Sequence, residues 1–183
     1  MHLLGWARYM HDRLGVRRSP AEIARDLEAR IEAIYRKGIP LVPGARDALA
    51  RCAAVWPLAL ATGSTRRLIE LVLDGGGLRE FFRVTVSVDD VAAAKPSPDV
   101  YLRAAALLGI DPVRCVAVED SANGVVSAYA AGMGVVAIAS PVSTGEIMPP
   151  IAGVSIDRLA NLSPDIVRRA ARPVVQRPAT SSG

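Results

Sequence analysis

Three short stretches carry groups that could act together on one ligand. The first is Glu119-Asp120, two adjacent carboxylates placed directly after the apolar run Cys115 to Val118. Two acids at the end of a buried strand are costly unless something positive neutralises them. Oxygen donors of this kind suit a hard cation, most simply Mg²⁺. The plainer alternative makes Asp120 or Ser121 a helix cap and Glu119 a surface charge. The second stretch is Thr62-Gly63-Ser64, a hydroxyl and a glycine between an apolar run and a helix start. Such a loop either binds an anion through hydroxyl and backbone N–H groups or simply caps the helix. The third is Lys95, followed by Pro96; Lys37 is the only other lysine of the sequence. Its ammonium either pairs with a phosphate oxygen and a nearby carboxylate or is a solvated surface charge.

Each feature alone is weak, and their order is more specific. Thr62, Lys95 and Glu119-Asp120 each follow an apolar run, at a strand end or in the loop beyond it. Open α/β sheets bind ligands at those C-terminal strand ends. A hydroxyl loop, a lysine and a pair of acids form one coherent set for phosphoryl transfer.

The elements that must hold these groups read as follows. Residues 1–37 read as helix, with a break at Gly15. Ser19-Pro20-Ala21-Glu22 has the form of a capped helix start. Ile23, Leu27, Ile31 and Ile34 continue at helical spacing to about Lys37-Gly38. The Pro/Gly-rich stretch Ile39 to Gly44 reads as a connection. Beyond it, short strands at Trp56–Ala61, Val84–Val88, Cys115–Val118 and Gly134–Ala139 alternate with helices at Ala45–Ala54, Arg66–Leu73, Val100–Leu108 and Ala122–Ala131. Pro141 to Pro150 reads as a loop, Val154 to Ile156 as an edge strand and Ser163 to Ala171 as a last helix. That alternation predicts an α/β fold with a parallel, doubly wound, Rossmann-like sheet. The expected units are 1–40 as a helical unit, 41–172 as the α/β core and 173–183 as a disordered tail.

Composition narrows the function classes. With 51% apolar residues and 22% charged residues, the 183-residue chain has globular composition and can bury a sizeable core. The net charge of +4 comes from arginines scattered along helices, with no interleaved aromatics, which argues against nucleic acid. Cys52 and Cys115 both lie in apolar segments, and two buried free thiols are expected. No apolar run predicts a signal peptide or a membrane span, so a cytoplasmic location is expected.

From Val42 to Ala139 the chain resembles the haloacid dehalogenase-like hydrolases, in the branch of β-phosphoglucomutase and sugar-phosphate phosphatases. The resemblance rests on Val42-Pro43-Gly44, on Ala61-Thr62-Gly63-Ser64 and on Lys95-Pro96-Ser97-Pro98-Asp99-Val100-Tyr101. It also rests on Val118-Glu119-Asp120-Ser121-Ala122-Asn123-Gly124 and on Ala130-Ala131-Gly132-Met133. It implies a Mg²⁺-dependent phosphatase or phosphomutase for small phosphorylated sugars or polyols. Thr62 and Lys95 would be catalytic, with Thr62, Gly63, Ser64, Lys95 and Asn123 around the phosphate or substrate. Glu119 and Asp120 would hold Mg²⁺. Residues 1–37 resemble the later helices of the family's α-helical cap.

The sequence departs from that family at one point. The family's nucleophile is the first Asp of an Asp-x-Asp-x-Thr motif on the first, central strand, and this sequence contains no Asp-x-Asp. Asp89-Asp90 are adjacent and follow the wrong strand. The resemblance therefore implies a sheet without its usual first central strand, a partial cap and impaired activity. The strands ending at Thr62 and Val118 would each face an empty ladder position or pair with each other. Either the start lies upstream of Met1, or the chain is a truncated non-catalytic remnant that binds phosphate, Mg²⁺ or a partner chain. The intact Thr62, Lys95, Glu119 and Asp120 favour the first. The family's members are expected to be monomers, and self-association is open to this chain.

Overall fold

The computed structural model describes residues 3–139 and 149–171. Most of the expected loop Pro141–Pro150, and the expected tail 173–183, lie outside the described residues.

Helices α1 (Leu3–Leu14) and α2 (Pro20–Tyr35) form a packed pair. Gly15, with φ +68°, ends α1, and His11 bonds the carbonyls of Val16 and Arg18 across the connection. Ser19 caps α2 as its sequence predicts. The Ser19 hydroxyl accepts from the Glu22 N–H, and the Glu22 carboxylate accepts from the Ser19 N–H and hydroxyl.

The α/β part contains α3 (Ala45–Ala53), β1 (Leu58–Ala61), α4 (Arg66–Gly75), β2 (Phe82–Val86), α5 (Asp99–Leu108), β3 (Val116–Glu119), α6 (Ala122–Ala130), β4 (Gly134–Ile138), β5 (Val154–Ile156) and α7 (Pro164–Ala170). All strand pairs are parallel, as the alternation predicts. They do not form one sheet. β1 pairs with β2, and β3, β4 and β5 form a separate three-stranded sheet in that order. Among the described residues β1 and β3 do not pair with each other, and each has a ladder partner on one side only. Val118, in the middle of β3, is 38% exposed, unusual for a strand of this composition.

Two helical layers keep both sheets in register. On one face, α5 and α6 bury Val100, Tyr101, Ala104, Val125 and Ala128 against Val86, Ala117, Val135 and Ala137. Ala59 and Ala61 of β1 pack against the same cluster, so α5 spans both sheets. On the other face, Ala48 and Cys52 of α3 and Ala170 of α7 pack on Val136, with Leu58 and Val116 alongside. The strict alternation along β4, with Val135 and Ala137 toward one layer and Val136 toward the other, is what a doubly wound arrangement requires.

Three expectations shift. β2 runs from Phe82 to Val86, two residues earlier than the apolar pattern suggests, because Ser87 starts a turn. Its hydroxyl accepts from the Asp89 N–H, and Asp90 accepts from the Ser87 N–H and hydroxyl. β3 starts at Val116 and ends on Glu119, one residue later than Cys115–Val118. Both cysteines are free, but only Cys52 is buried; Cys115 is half-buried at the entry to β3.

The α1–α2 pair meets the α/β part through α2 and α4. Glu32 of α2 pairs with Arg67 of α4, and the Thr65 hydroxyl donates to Glu28. The Arg67 hydrogen bond holds the Glu32 carboxyl below its ordinary value of about 4.5. A depressed acid contributes stability that is present above the ordinary value and lost as pH falls through the depressed one. Urea midpoints of the chain should therefore fall as pH drops below about 4.5, and Glu32→Gln should flatten that part of the profile. Identical pH profiles for the two proteins would remove Glu32–Arg67 as an acid-sensitive contact.

Candidate active site

The candidate site forms where β1 and β3 end. Each strand delivers its last residues to the same side, and the loop after β2 closes one flank.

After β1, the Thr62 N–H continues the ladder to the Val86 carbonyl, 3.0 Å away. Its hydroxyl turns back and accepts from the Ser64 N–H at 3.2 Å. The Ser64 carbonyl accepts from the Val88 N–H, tying this loop to the one after β2. The helix cap itself is Thr65, whose hydroxyl accepts from the Leu68 N–H. Thr62, Gly63 and Ser64 therefore precede the cap, which leaves the Thr62 hydroxyl at the strand end. The first residue of α4, Arg66, is anchored from the far side. Its N–H donates to Asp89 at 2.8 Å, and its guanidinium pairs with Asp90. The Asp90 carboxyl lies below the usual carboxylate range, chiefly through the Ser87 N–H and also through Arg66. Asp89 and Asp90, set aside as a nucleophile pair, thus hold the start of α4.

Lys95 is not a solvated surface charge. Its side chain is 15% exposed and bridges the two sheets. The ammonium donates to the Ala61 carbonyl at 3.1 Å, at the end of β1, and to the Glu119 carboxylate at the end of β3. It also donates to the Tyr101 hydroxyl at 3.1 Å and lies 4.6 Å from that ring's centroid. The peptide between Lys95 and Pro96 is cis.

Glu119 is buried, and both its oxygens are engaged. Oε1 accepts from Lys95 and from the Tyr101 hydroxyl, and Oε2 accepts from the Ser121 hydroxyl at 3.1 Å. Burial, with the Glu119 carboxylate close by, pushes the Tyr101 phenol up, so it stays protonated and donates. The carboxylate lies against Gly124, where a Cβ would run into its oxygens, so only glycine lets α6 begin this close to it. Ser121 caps α6 through the Gly124 N–H at 3.1 Å. Asp120 is exposed at the end of β3, and Asn123 is half-buried in the first turn of α6.

Thr62's neighbour Ala61, Lys95 and Glu119 are thus brought together by direct bonds. Tyr101 and Gly124 are neighbours of this cluster that were not among the expected site residues. Tyr101 reads as one residue of the helix Val100–Leu108, and Gly124 as one near the start of the helix Ala122–Ala131. Beside the loop lies a cavity of about 270 Å³ between the two helical parts, lined by Leu4, Arg25, Glu28, Gly63, Thr65 and Asp89 among others.

For a cation, Asp120 with Glu119 beside it offers oxygen donors of the hard kind that Mg²⁺ takes, one or two carboxylates being its usual protein share. Among the described residues no group of three or more His, Cys, Asp or Glu stands together as a metal cage. With Glu119 held by Lys95, Tyr101 and Ser121, a Mg²⁺ here would have to take most of its coordination from phosphate and water.

A parallel α/β body with a hydroxyl loop, a lysine and acids at its strand ends defines a class of phosphoryl-transfer hydrolase folds. The comparisons with known proteins agree: the chain belongs to the haloacid dehalogenase-like hydrolases, whose family model matches residues 2–132. It is similar to hexitol phosphatase B of Escherichia coli (strain K12), with 35% identity over 146 residues. Those residues are 79% of this chain and 66% of that protein. Its fold matches the crystal structure of CbbY from Rhodobacter sphaeroides in complex with phosphate, with a TM-score of 0.76 and 31% identity over 89% of this chain and 76% of that one. It also matches β-phosphoglucomutase from Clostridium difficile, with a TM-score of 0.75 over 93% of this chain and 76% of that one; at 16% identity the likeness is one of fold. Among the described residues no helix is long and apolar enough to cross a membrane.

Proposed function

We propose that this chain carries the phosphate-binding and metal-binding corner of a Mg²⁺-dependent phosphatase or phosphomutase for small phosphorylated sugars or polyols. The observation that carries the reading is the Lys95 bridge, a shielded ammonium held between the ends of β1 and β3, beside the Thr62 loop. The hexitol phosphatase relative supports the sugar or polyol class.

In this reading, Thr62, Gly63 and Ser64 receive a phosphoryl group through the Thr62 hydroxyl and loop N–H groups. Lys95 neutralises its charge, and Glu119 keeps Lys95 in place. Asn123, in the first turn of α6, contributes to the phosphate or substrate side. Glu119 and Asp120 would hold Mg²⁺, which when bound would neutralise phosphoryl charge as a Lewis acid. Residues 1–40 act as a partial cap over the core of 41–172, with the cavity beside Gly63 and Thr65 taking the rest of the substrate. The sequence lacks the Asp-x-Asp pair that would attack phosphorus and protonate the leaving group. Turnover is therefore expected to be impaired.

A second reading is favoured by the unpaired sides of β1 and β3. They suit one further parallel strand, supplied by another chain or segment, and in that state this chain binds phosphate, Mg²⁺ or a partner without turnover. One experiment tests both. With Mg²⁺ present, the chain should bind inorganic phosphate in calorimetry and release almost no phosphate from a hexitol phosphate. Brisk hydrolysis that survives Asp89→Asn and Asp90→Asn would show that a nucleophile has been overlooked. No phosphate binding would overturn the site itself.

A further inference from the structure

An ammonium has three N–H donors, and Lys95 spends all three inside the protein. They go to the Ala61 carbonyl, the Tyr101 hydroxyl and the Glu119 carboxylate. Two of those three partners meet at Tyr101. Its hydroxyl accepts from Lys95 and donates to the same Glu119 oxygen that Lys95 pairs with, closing a three-membered ring of polar groups. Its ring lies beneath the ammonium, with 4.6 Å from Nζ to the centroid. Tyr101 itself is 7% exposed and is fixed by α5 in the cluster that spans both sheets.

We infer that Tyr101 is a positioning residue: its hydroxyl and ring hold the Lys95 ammonium and the Glu119 carboxylate in one arrangement at the strand ends. This rests on the phosphate-binding reading above. An unbranched lysine side chain has several rotatable bonds and sweeps a wide volume when free. The phenol removes that freedom before any anion arrives, so an incoming phosphate meets a placed charge. Phenylalanine at this position would keep the ring and the packing but lose both hydrogen bonds. Lys95 would then be held by a carbonyl and a carboxylate alone, with one donor returned to solvent.

Nuclear magnetic resonance of the ¹⁵N-labelled full chain tests this directly, because Lys37 and Lys95 are the only lysines. In the wild type, the Lys95 ε-methylene should be displaced by the ring current of Tyr101, and its Nζ protons should exchange slowly enough to be seen. Lys37 supplies the exposed reference. Tyr101→Phe should keep the ring-current displacement, lose the slow Nζ signal and bind inorganic phosphate roughly tenfold more weakly, the scale of re-ordering one freed lysine side chain. A retained slow Nζ signal, with phosphate affinity within about twofold of wild type, would overturn the inference. So would a Lys95 ε-methylene in the wild type that matches Lys37, a result that needs no variant. If the wild type binds no phosphate, the function proposed above fails, and the two spectroscopic readouts still decide what Tyr101 does.

Discussion

Lys95→Met is expected to destabilise the chain by about 3–5 kcal/mol, because it leaves a buried carboxylate without its counter-ion. Glu119 is 8% exposed, so water cannot take over the role of the ammonium without entering the core. The remaining donors, the Tyr101 and Ser121 hydroxyls, satisfy lone pairs but bring no positive charge. The substitution also removes the side chain that joins the Ala61 carbonyl on one sheet to Glu119 on the other. Urea denaturation of wild type and variant measures the loss. The pair's own worth is a separate quantity. Replacing Lys95 and Glu119 together by apolar residues should recover most of the stability, since a well-packed apolar substitute for a buried pair is often neutral or better by about 1–4 kcal/mol. Phosphate binding should be absent in both variants. A single variant as stable as wild type would mean that Glu119 is not held by charge.

Joining a strand of the form Asp-x-Asp-x-Thr ahead of Met1 is expected to raise hydrolysis of a hexitol phosphate by several orders of magnitude, the range that separates enzymes from uncatalysed reactions. β1 and β3 are parallel to their own partners, and among the described residues each is unpaired on its other side. A single parallel strand between them would satisfy both edges and cover Val118. The end of that strand would come out between Thr62 and Glu119, which is where a nucleophile must stand to reach a phosphate held by Lys95. Its first carboxylate would attack phosphorus, and its second would protonate the leaving oxygen. Replacing the first of these acids by Asn should return turnover to the level of the unmodified chain. Equal activity in the two fusions would rule out the strand as the source of the nucleophile.

Much of this arrangement was legible from residue types. The Ser19 to Glu22 start of α2, the edge strand Val154–Ile156, the placement of Thr62 and Glu119 at strand ends and that of Lys95 in the loop beyond β2 all follow from local chemistry and period. Other features depend on neighbours that are distant in the chain. Tyr101 fits a core position on α5, and only the approach of Glu119, eighteen residues later, makes its hydroxyl matter. Gly124 looks like any glycine near a helix start until the carboxylate is seen against it. The end of β2 was misread because hydrophobicity continues through Val88, whereas the Ser87 hydroxyl and Asp90 carboxylate capture the backbone first. The side chain of Arg66 carries no signal in the sequence, yet Asp89, Asp90 and Thr85 all bond this residue.

The splint formed by α5 has a consequence for how the chain comes apart. Among the described residues the ladder β1–β2, with α4 behind it, and the ladder β3–β4–β5, with α6 and α7, share no backbone hydrogen bonds between strands. They are joined by the α5 side chains, by α3 and by the Lys95 bridge. Such a molecule should open in two steps of local unfolding, not as one cooperative unit. Amides of β4, flanked by strands on both sides and carrying the fully buried Val136, would exchange with solvent last. The smaller ladder would release its protons earlier, and the order of release would report how firmly α5 clamps the halves together.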